Sequence, residues 1–319
     1  MKSVTGVLLA LISAVLVTSC RKDSIFSNGE VVERTLDYRN HYFKCVEMCD
    51  DVDVKLLHCD ESHPYGTIVV RAGSRLIDSI LADTTKPDTL IINNRNRLKW
   101  LRPYDAITEM TIYYDSLSTI VFNSNGRLIT DDLCGICIPI EMDTTMIIEN
   151  VITQDSTVYD TISPIMTMPA LRIDVLGGSG DIEVNVNCYQ FVFQYEAGTS
   201  MVNLSGNASI TYAYTSENAH GPVNCKALNT NIFYATSYGT NNMIVKAFHS
   251  VDAKNYNNGT VYFVEYLGAK KTYVYDSVTH MSLPCYIDVL CPEELYYNGQ
   301  MLQPQEYAND LPGLRKIVE

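Results

Sequence analysis

The sequence predicts an all-β protein whose second half is a β-solenoid, and three observations lead to that fold class. Tyr is unusually common, at 22 residues against 8 Phe, and β-branched residues are plentiful, which favours strands over helices. Short alternating segments are separated by Gly, Asn and Asp, as in all-β chains. In the second half, glycines recur every 18 to 23 residues, which is close to the length of one turn of a β-helix.

The N-terminus is typical of a bacterial lipoprotein. Residues 1–19 resemble a signal peptide, with Lys2 as the positive end and an apolar run at 6–17 that is too short to cross a bilayer of about 30 Å. Cleavage after the small residue Ser19 would leave Cys20 to accept fatty acyl chains such as palmitate, which anchor a protein durably. We expect an outer-membrane lipoprotein, at the cell surface or on the periplasmic face. An ordinary secretory signal is the alternative.

The mature chain is predicted to follow a simple order. The segments are a tether at 20–33, an N-terminal β half at 34–130, an insertion at 131–169, the solenoid half at 170–268 and a C-terminal extension at 269–319. Strands of the first half are predicted at 42–48, 52–57, 67–71, 89–93, 107–113, 119–122 and 127–130. Residues 75–82 place Leu76, Ile77, Ile80 and Leu81 at helical spacing, which predicts one short helix.

The solenoid half is marked by its periodic glycines. They are Gly180, Gly198, Gly221, Gly239 and Gly259, and each lies near a predicted strand, at 181–186, 200–204, 223–228, 242–248 and 260–266. Glycine at a corner supplies the positive φ that a bend needs. The inward ladder is predicted to contain Ile182, Val184, Val186, Val202, Leu204, Val223, Cys225, Leu228, Ile244, Val245, Val261 and Phe263. An antiparallel β-sandwich is the alternative, because it also shows short strands and turns.

Several motifs, in order, resemble the putative auto-transporter adhesin, head GIN domain family of Bacteroidetes envelope proteins. They are Asp37-Tyr38-Arg39, Arg75-Leu76-Ile77, the segment Gly177-Gly178-Ser179-Gly180-Asp181-Ile182, the segment Asn203-Leu204-Ser205-Gly206 and the closing Gly259-Thr260-Val261-Tyr262. The resemblance covers about residues 37–268, and the insertion and the extension depart from it. It implies a right-handed parallel β-helix and an adhesin at the cell envelope, and it assigns no catalytic residues.

The net charge of the chain argues against two classes of binding partner. The formal net charge is −14 and the pI is about 4.8, which opposes binding to nucleic acid or to an anionic membrane surface, since both need clustered Lys and Arg. The partners we expect are the membrane, through the lipid anchor, and a glycan or a protein ligand. Tyr195, Tyr212, Tyr214, Tyr234 and Tyr238 are predicted to form exposed aromatic platforms for that ligand, or to cap the ends of the solenoid.

No catalytic residue, cofactor or metal site is predicted. The acids of the periodic half, Asp174, Asp181, Glu183, Glu196, Glu217, Asp252 and Glu265, do not recur at one register, whereas glycoside hydrolysis needs two carboxylates facing one groove. Asp50, Asp51 and Asp53 lack a calcium-loop spacing, and His220 and His249 are isolated. A carbohydrate-active β-helix enzyme and a periplasmic assembly or signalling partner are the alternatives to an adhesin.

The ten cysteines leave nine after Cys20. We expect local disulfides and buried small side chains among them, because export permits oxidation. Cys134 and Cys137 form the one Cys-x-x-Cys pair, and zinc or thiol-redox chemistry is the alternative there.

Asp followed by Ser or Thr and then an apolar residue or Thr resembles the O-glycosylation acceptor of Bacteroides-type envelope proteins. Nine such acceptors are present where composition predicts about one or two. They are Ser24, Ser79, Thr84, Thr89, Ser116, Thr144, Ser156, Thr161 and Ser277. We expect glycans at these side chains, and the alternative is that Asp-Ser/Thr simply begins turns.

Overall fold

The protein is all-β, as the sequence predicts. The computed structural model describes residues 27–96, 107–131, 133–134, 136–140, 166–276, 281–303 and 311–318. These residues form 22 strands and one short 3-10 turn, Ile77–Ser79. The predicted signal peptide and Cys20 lie outside the described residues.

The strands are named in chain order. The first nine are β1 (Val31–Asp37), β2 (Cys45–Met48), β3 (Asp53–His58), β4 (Thr67–Gly73), β5 (Ile80–Asp83), β6 (Thr89–Asn94), β7 (Thr108–Tyr114), β8 (Thr119–Ser124) and β9 (Leu128–Thr130). The next six are β10 (Leu133–Cys134), β11 (Ile136–Ile140), β12 (Met166–Gly178), β13 (Ile182–Gly198), β14 (Val202–Ala219) and β15 (Val223–Ser237). The last seven are β16 (Met243–Val245), β17 (Ser250–Asn255), β18 (Val261–Asp276), β19 (Met281–Cys291), β20 (Glu294–Tyr297), β21 (Gln300–Met301) and β22 (Leu314–Val318).

The strands pair in two rows. Row one has the order β1, β4, β7, β3, β9, β13, β14, β15, β16, β18, β22. Row two has the order β5, β6, β2, β8, β12, β13, β14, β15, β17, β20, β21. The long strands β13, β14 and β15 belong to both rows. The mixed sheet therefore curls around a single core to which both rows contribute.

Most neighbours within a row are parallel, and their register follows the periodicity of the sequence. Ile182 pairs with Val202, and Val202 pairs with Val223. From β13 onward to β18, paired residues are 18 to 22 positions apart in the chain. Equivalent side chains therefore stack from one strand to the next.

Stacking buries the predicted ladder almost completely. Eleven of its twelve residues are at most 2% exposed: Ile182, Val184, Val186, Val202, Leu204, Val223, Cys225, Leu228, Val245, Val261 and Phe263. The prediction is wrong for Ile244, which is half-buried and points outward. Its neighbours Met243 and Val245 are both buried, because alternate residues of a strand face the same side.

The short helix predicted at residues 75–82 is not present. The segment instead forms the turn Ile77–Ser79 and then strand β5, which pairs antiparallel with β6. Ile80 and Ala82 are buried while Leu81 between them is half-buried. That alternation has the period of a strand, so burial against β6 overrides the local helical spacing.

Glycines allow the strands to approach closely. Gly198 has a φ of +117°, as predicted for a corner. Gly221 has no positive φ, but a Cβ there would overlap the carbonyl oxygen of Ser200 on the neighbouring turn. The prediction of a positive φ is wrong for Gly180, Gly221, Gly239 and Gly259, which instead provide space where a Cβ would overlap neighbouring atoms.

Antiparallel pairs stand at three of the four row ends. Row one begins with β1 against β4, and row two begins with β5 against β6. Row two ends with β20 against β21, whereas row one ends with the parallel strand β22. Beyond the rows, β18 continues into an antiparallel ribbon with β19.

Candidate binding surfaces

The outward side of row two carries a cluster of tyrosines. On β14, Tyr212 and Tyr214 flank the buried Ala213, so both rings point away from the core. Tyr234 of β15 pairs directly with Tyr212. We call the set Tyr212, Tyr214, Tyr234, Tyr238 and Tyr256 the tyrosine face.

The rings of the tyrosine face stack on one another. Tyr212 and Tyr234 have ring centroids 4.9 Å apart and planes 10° apart. Tyr238 and Tyr256 are also stacked, at 4.5 Å and 10°, and Tyr214 lies tilted 5.9 Å from Tyr238. Tyr256 is 58% exposed. The face is therefore an ordered aromatic surface held by adjacent strands.

Stacking decides what this surface can contact. One side of each stacked ring covers its neighbour, so ring edges and hydroxyl groups make up much of what a partner meets. Burial, and then the neighbouring Tyr234, raise the pKa of Tyr212. Burial, and then Glu196, raise the pKa of Tyr214. Both hydroxyls therefore stay protonated near neutral pH and can donate hydrogen bonds.

The sequence-based prediction of an exposed platform is wrong for Tyr195. Its side chain is fully buried, and its hydroxyl donates to the carbonyl oxygen of Ser200 at 3.1 Å. Tyr195 shares its side of β13 with the buried Phe191 and Phe193, so the alternation along the strand already indicates that it faces inward. Tyr256 was not predicted, because it follows β17 and belongs to no alternating segment.

Row one carries a polar groove of about 580 Å³. Its polar lining consists of Thr130, Asp131, Glu183, Asn185, Asn203, Ser205 and Asn224, and the buried Val184 and Leu204 lie beneath them. We call it the amide groove. A second cavity of about 450 Å³ lies farther along the same strands and includes Asn187, Asn207 and Asn229.

Asparagines of neighbouring strands form ladders on this side. Asn224 donates from Nδ2 to Oδ1 of Asn203 at 3.2 Å, and Asn229 donates to Asn207 over the same distance. Such amide ladders reinforce in-register stacking. Sequence reasoning missed them, although Asn recurring at intervals of 20 to 22 residues is a signal that could have found them.

The structure describes four of the nine predicted glycan acceptors. Ser79, Thr84, Thr89 and Ser116 are all half-buried, and the other five, Ser24, Thr144, Ser156, Thr161 and Ser277, lie outside the described residues. Asp83 Oδ1 accepts a hydrogen bond from the backbone N–H of Thr85 at 2.8 Å, which is the local turn bond expected of Asp-Ser/Thr. Turn chemistry thus accounts for the Asp at one of the four motifs.

The acidic side chains are dispersed over the molecule. Asp174 pairs with Arg172 at 2.8 Å on row two, and Glu265 pairs with Lys316 at 3.2 Å on row one. Asp53 accepts bonds from the Arg127 guanidinium. Among the residues that the structure describes, no group of three or more His, Cys, Asp or Glu side chains could hold a metal ion.

Burial raises the pKa of four described cysteines, Cys45, Cys49, Cys225 and Cys291, so their thiols resist ionisation. Burial raises the pKa of Cys225 to about 12 and is also the main reason that the pKa of Cys49 is about 11. Both remain thiols in the structure, as do Cys45, Cys59 and Cys291, which does not match the expected local disulfides. Cys225 fills a ladder position, so it acts as a small apolar side chain. The side chains of Cys134 and Cys137 lie outside the described residues.

Comparison with known proteins matches most of the chain to one family model. The family model described as putative auto-transporter adhesin, head GIN domain, matches residues 42–265. No curated protein is significantly similar to the chain. No helix in the described part of the chain has the length and apolar character needed to cross a membrane.

One solved structure shares the fold at low sequence identity, and two others are similar at lower TM-scores. A putative adhesin from Bacteroides fragilis is 16% identical with a TM-score of 0.54, and the match covers 75% of this chain and 90% of that one. A putative adhesin from Parabacteroides merdae is 12% identical with a TM-score of 0.45, over 75% and 90% of the two chains. A putative lipid binding protein from Parabacteroides distasonis is 10% identical with a TM-score of 0.44, over 74% and 90%.

Proposed function

The chain belongs to the putative auto-transporter adhesin, head GIN domain family, and on that premise we propose that it is a non-enzymatic, adhesin-like protein of the bacterial envelope. The observation that carries the proposal is the tyrosine face, an exposed set of stacked rings on paired strands. Aromatic side chains supply large contact area with little conformational freedom to lose, which suits a binding surface. The dispersed acids of the described residues favour binding over hydrolysis.

The scaffold is, in this proposal, a right-handed parallel β-solenoid. Parallel pairing at steps of 18 to 22 residues supports it, and so do apolar columns such as Ile182, Val202 and Val223. In such a stack each turn contacts only its neighbours. Binding groups are therefore held at fixed spacing along an elongated surface.

The anchor is, in this proposal, a lipid on Cys20 in the outer membrane. Support comes from the sequence of residues 1–20, with Lys2, a short apolar run and Ser19 before the cysteine. Acyl chains would hold the protein at the membrane, and the chain between Cys20 and β1 would let the folded part stand away from it. The predicted end of the tether at residue 33 is wrong, because β1 begins at Val31.

The tyrosine face can be tested by binding to coated surfaces. Beads carrying the mature protein would be exposed to wells coated with fibronectin, with mucin or with albumin as the blank. We expect retention on fibronectin or mucin, and at least a tenfold loss in the variant Tyr212→Ser/Tyr234→Ser/Tyr256→Ser, because the stacked surface is removed. Tyr42→Ser is the matched control, since Tyr42 is 52% exposed and lies on the first half of the chain. Equal retention of the variant and the wild-type protein would exclude this face as the adhesive surface.

We also propose O-linked glycans at the Asp-Ser/Thr motifs, all of which lie outside residues 171–268. Intact mass of the protein purified from its own envelope should exceed the lipidated polypeptide mass by several identical increments. Thr144→Ala/Ser156→Ala/Thr161→Ala should remove up to three of them and leave the circular dichroism spectrum unchanged. A mass equal to that of the lipidated polypeptide would contradict glycosylation and leave the motifs explained by turn formation alone.

A further inference from the structure

The amide groove runs across the strands of row one. Its lining residues occupy equivalent register positions, since Ile129 pairs with Glu183, Glu183 with Asn203, and Asn203 with Asn224. Neighbouring strands are ~4.8 Å apart, so polar groups recur along the groove at steps close to the length of one hexose unit. The groove therefore offers a regular series of contacts to an extended chain.

The groove also has hydrogen-bonding capacity that the protein does not use. Among the described residues, the side-chain amide of Asn185 bonds to no other group. Within the described part of the chain, the amide of Asn203 accepts one bond from Asn224 and donates none. In the same residues, the carboxylate of Glu183, which lines the groove, has no ion pair or hydrogen bond. Asparagine offers two donors and an acceptor, so a ligand whose groups both donate and accept would satisfy these side chains.

Charge and strand pairing select the kind of ligand. Glu183 and Asp131 at the groove and the net charge of −14 disfavour an anionic polymer. An extended peptide would bind by adding a strand to an open sheet edge. At the groove, however, β13 pairs with β14 on one side and with β9 and β10 on the other, and β14 pairs with β13 and β15. Hydroxyl groups donate and accept equally, and they carry no charge.

We propose that the amide groove binds an extended, uncharged oligosaccharide, with Glu183, Asn185, Asn203 and Asn224 hydrogen-bonding to hydroxyls of successive sugar units. The groove lies on row one and the tyrosine face on row two, so this inference goes beyond the proposed adhesive surface and does not depend on it.

Titration calorimetry of the mature protein tests the inference. The probes are hexasaccharides of glucose, mannose and N-acetylglucosamine, a galacturonic acid hexamer and an uncharged Gly/Ser peptide of similar length. We expect at least one uncharged hexasaccharide to bind, its disaccharide to bind at least tenfold more weakly, and the acidic hexamer and the peptide not to bind. Asn185→Ala/Asn203→Ala should weaken the binding at least tenfold. Asn242→Ala, an exposed position outside the groove, should not change it.

Several outcomes would overturn the inference. It fails if no uncharged hexasaccharide binds, if the acidic hexamer or the peptide binds more tightly, or if Asn185→Ala/Asn203→Ala binds like the wild-type protein. Thermal melts confirm that the variant is folded. If Tyr212→Ser/Tyr234→Ser abolishes sugar binding instead, the sugar lies on the tyrosine face, and then this proposal fails while the adhesive function stands.

Discussion

Val184→Asp is expected to unfold the stacked half of the protein. Val184 is 1% exposed on β13 and contributes to the single core, where a carboxylate finds neither water nor a partner. Burying an unpaired charge is among the few changes that cost about 4 kcal/mol or more, and whole domains are stable by only about 5–15 kcal/mol. Leu204→Asp and Val245→Asp should act alike, because both side chains are buried at ladder positions.

The matched control lies one position away on the same strand. Asn185 points outward beside Val184, so Asn185→Asp should change the free energy of unfolding by about 0.5 kcal/mol or less. Circular dichroism melts of the four variants make the comparison. Ladder variants that melt together with the wild-type protein would contradict the stacked register.

Loss of the acyl acceptor is expected to release the protein from the membrane. Cys20→Ala removes the one residue that can carry the lipid, and the acyl chains are the anchor in the proposed function. After fractionation and a salt wash, the wild-type protein should be in the outer-membrane pellet and the variant in the soluble fraction. Ser19→Ala keeps a small residue before the cysteine and should leave the protein in the pellet.

A Cys20→Ala variant that still pellets would contradict lipid anchoring. Protease treatment of intact cells is a separate measurement on the wild-type protein. It distinguishes the cell surface from the periplasmic face, because only a surface protein is cleaved while the outer membrane is intact.

Most core residues could be predicted from the sequence, because the alternation of apolar and polar residues along a strand is a local property. Alternation of apolar and polar residues placed Val184 and Leu204 inward before any pairing was known. It failed at Ile244, where three adjacent apolar residues, Met243 to Val245, left the inward side ambiguous. It also failed at residues 75–82, where four apolar residues fit a helix as well as a turn followed by a strand.

The binding surfaces were less predictable, because they depend on where strands end and how they pair. Strands predicted to stop near Val186, Leu204 and Leu228 continue to Gly198, Ala219 and Ser237. Each long strand therefore contributes to both rows. Stacking of Tyr212 on Tyr234 follows from a register of 22 residues, and no local pattern specifies a contact over that distance.

The reversed strands at the ends of row two bear on how copies of this protein behave when they are crowded together. An exposed strand edge can recruit a like strand from another molecule and begin a fibre. Here a second copy that approaches end to end along row two meets β5 or β21, whose direction is reversed relative to the stack. The parallel repeat cannot continue in register across such a junction. Both ends of row two therefore oppose the growth of a filament from stacked copies. Row one ends on β1 and β22, which run in the direction of the stack.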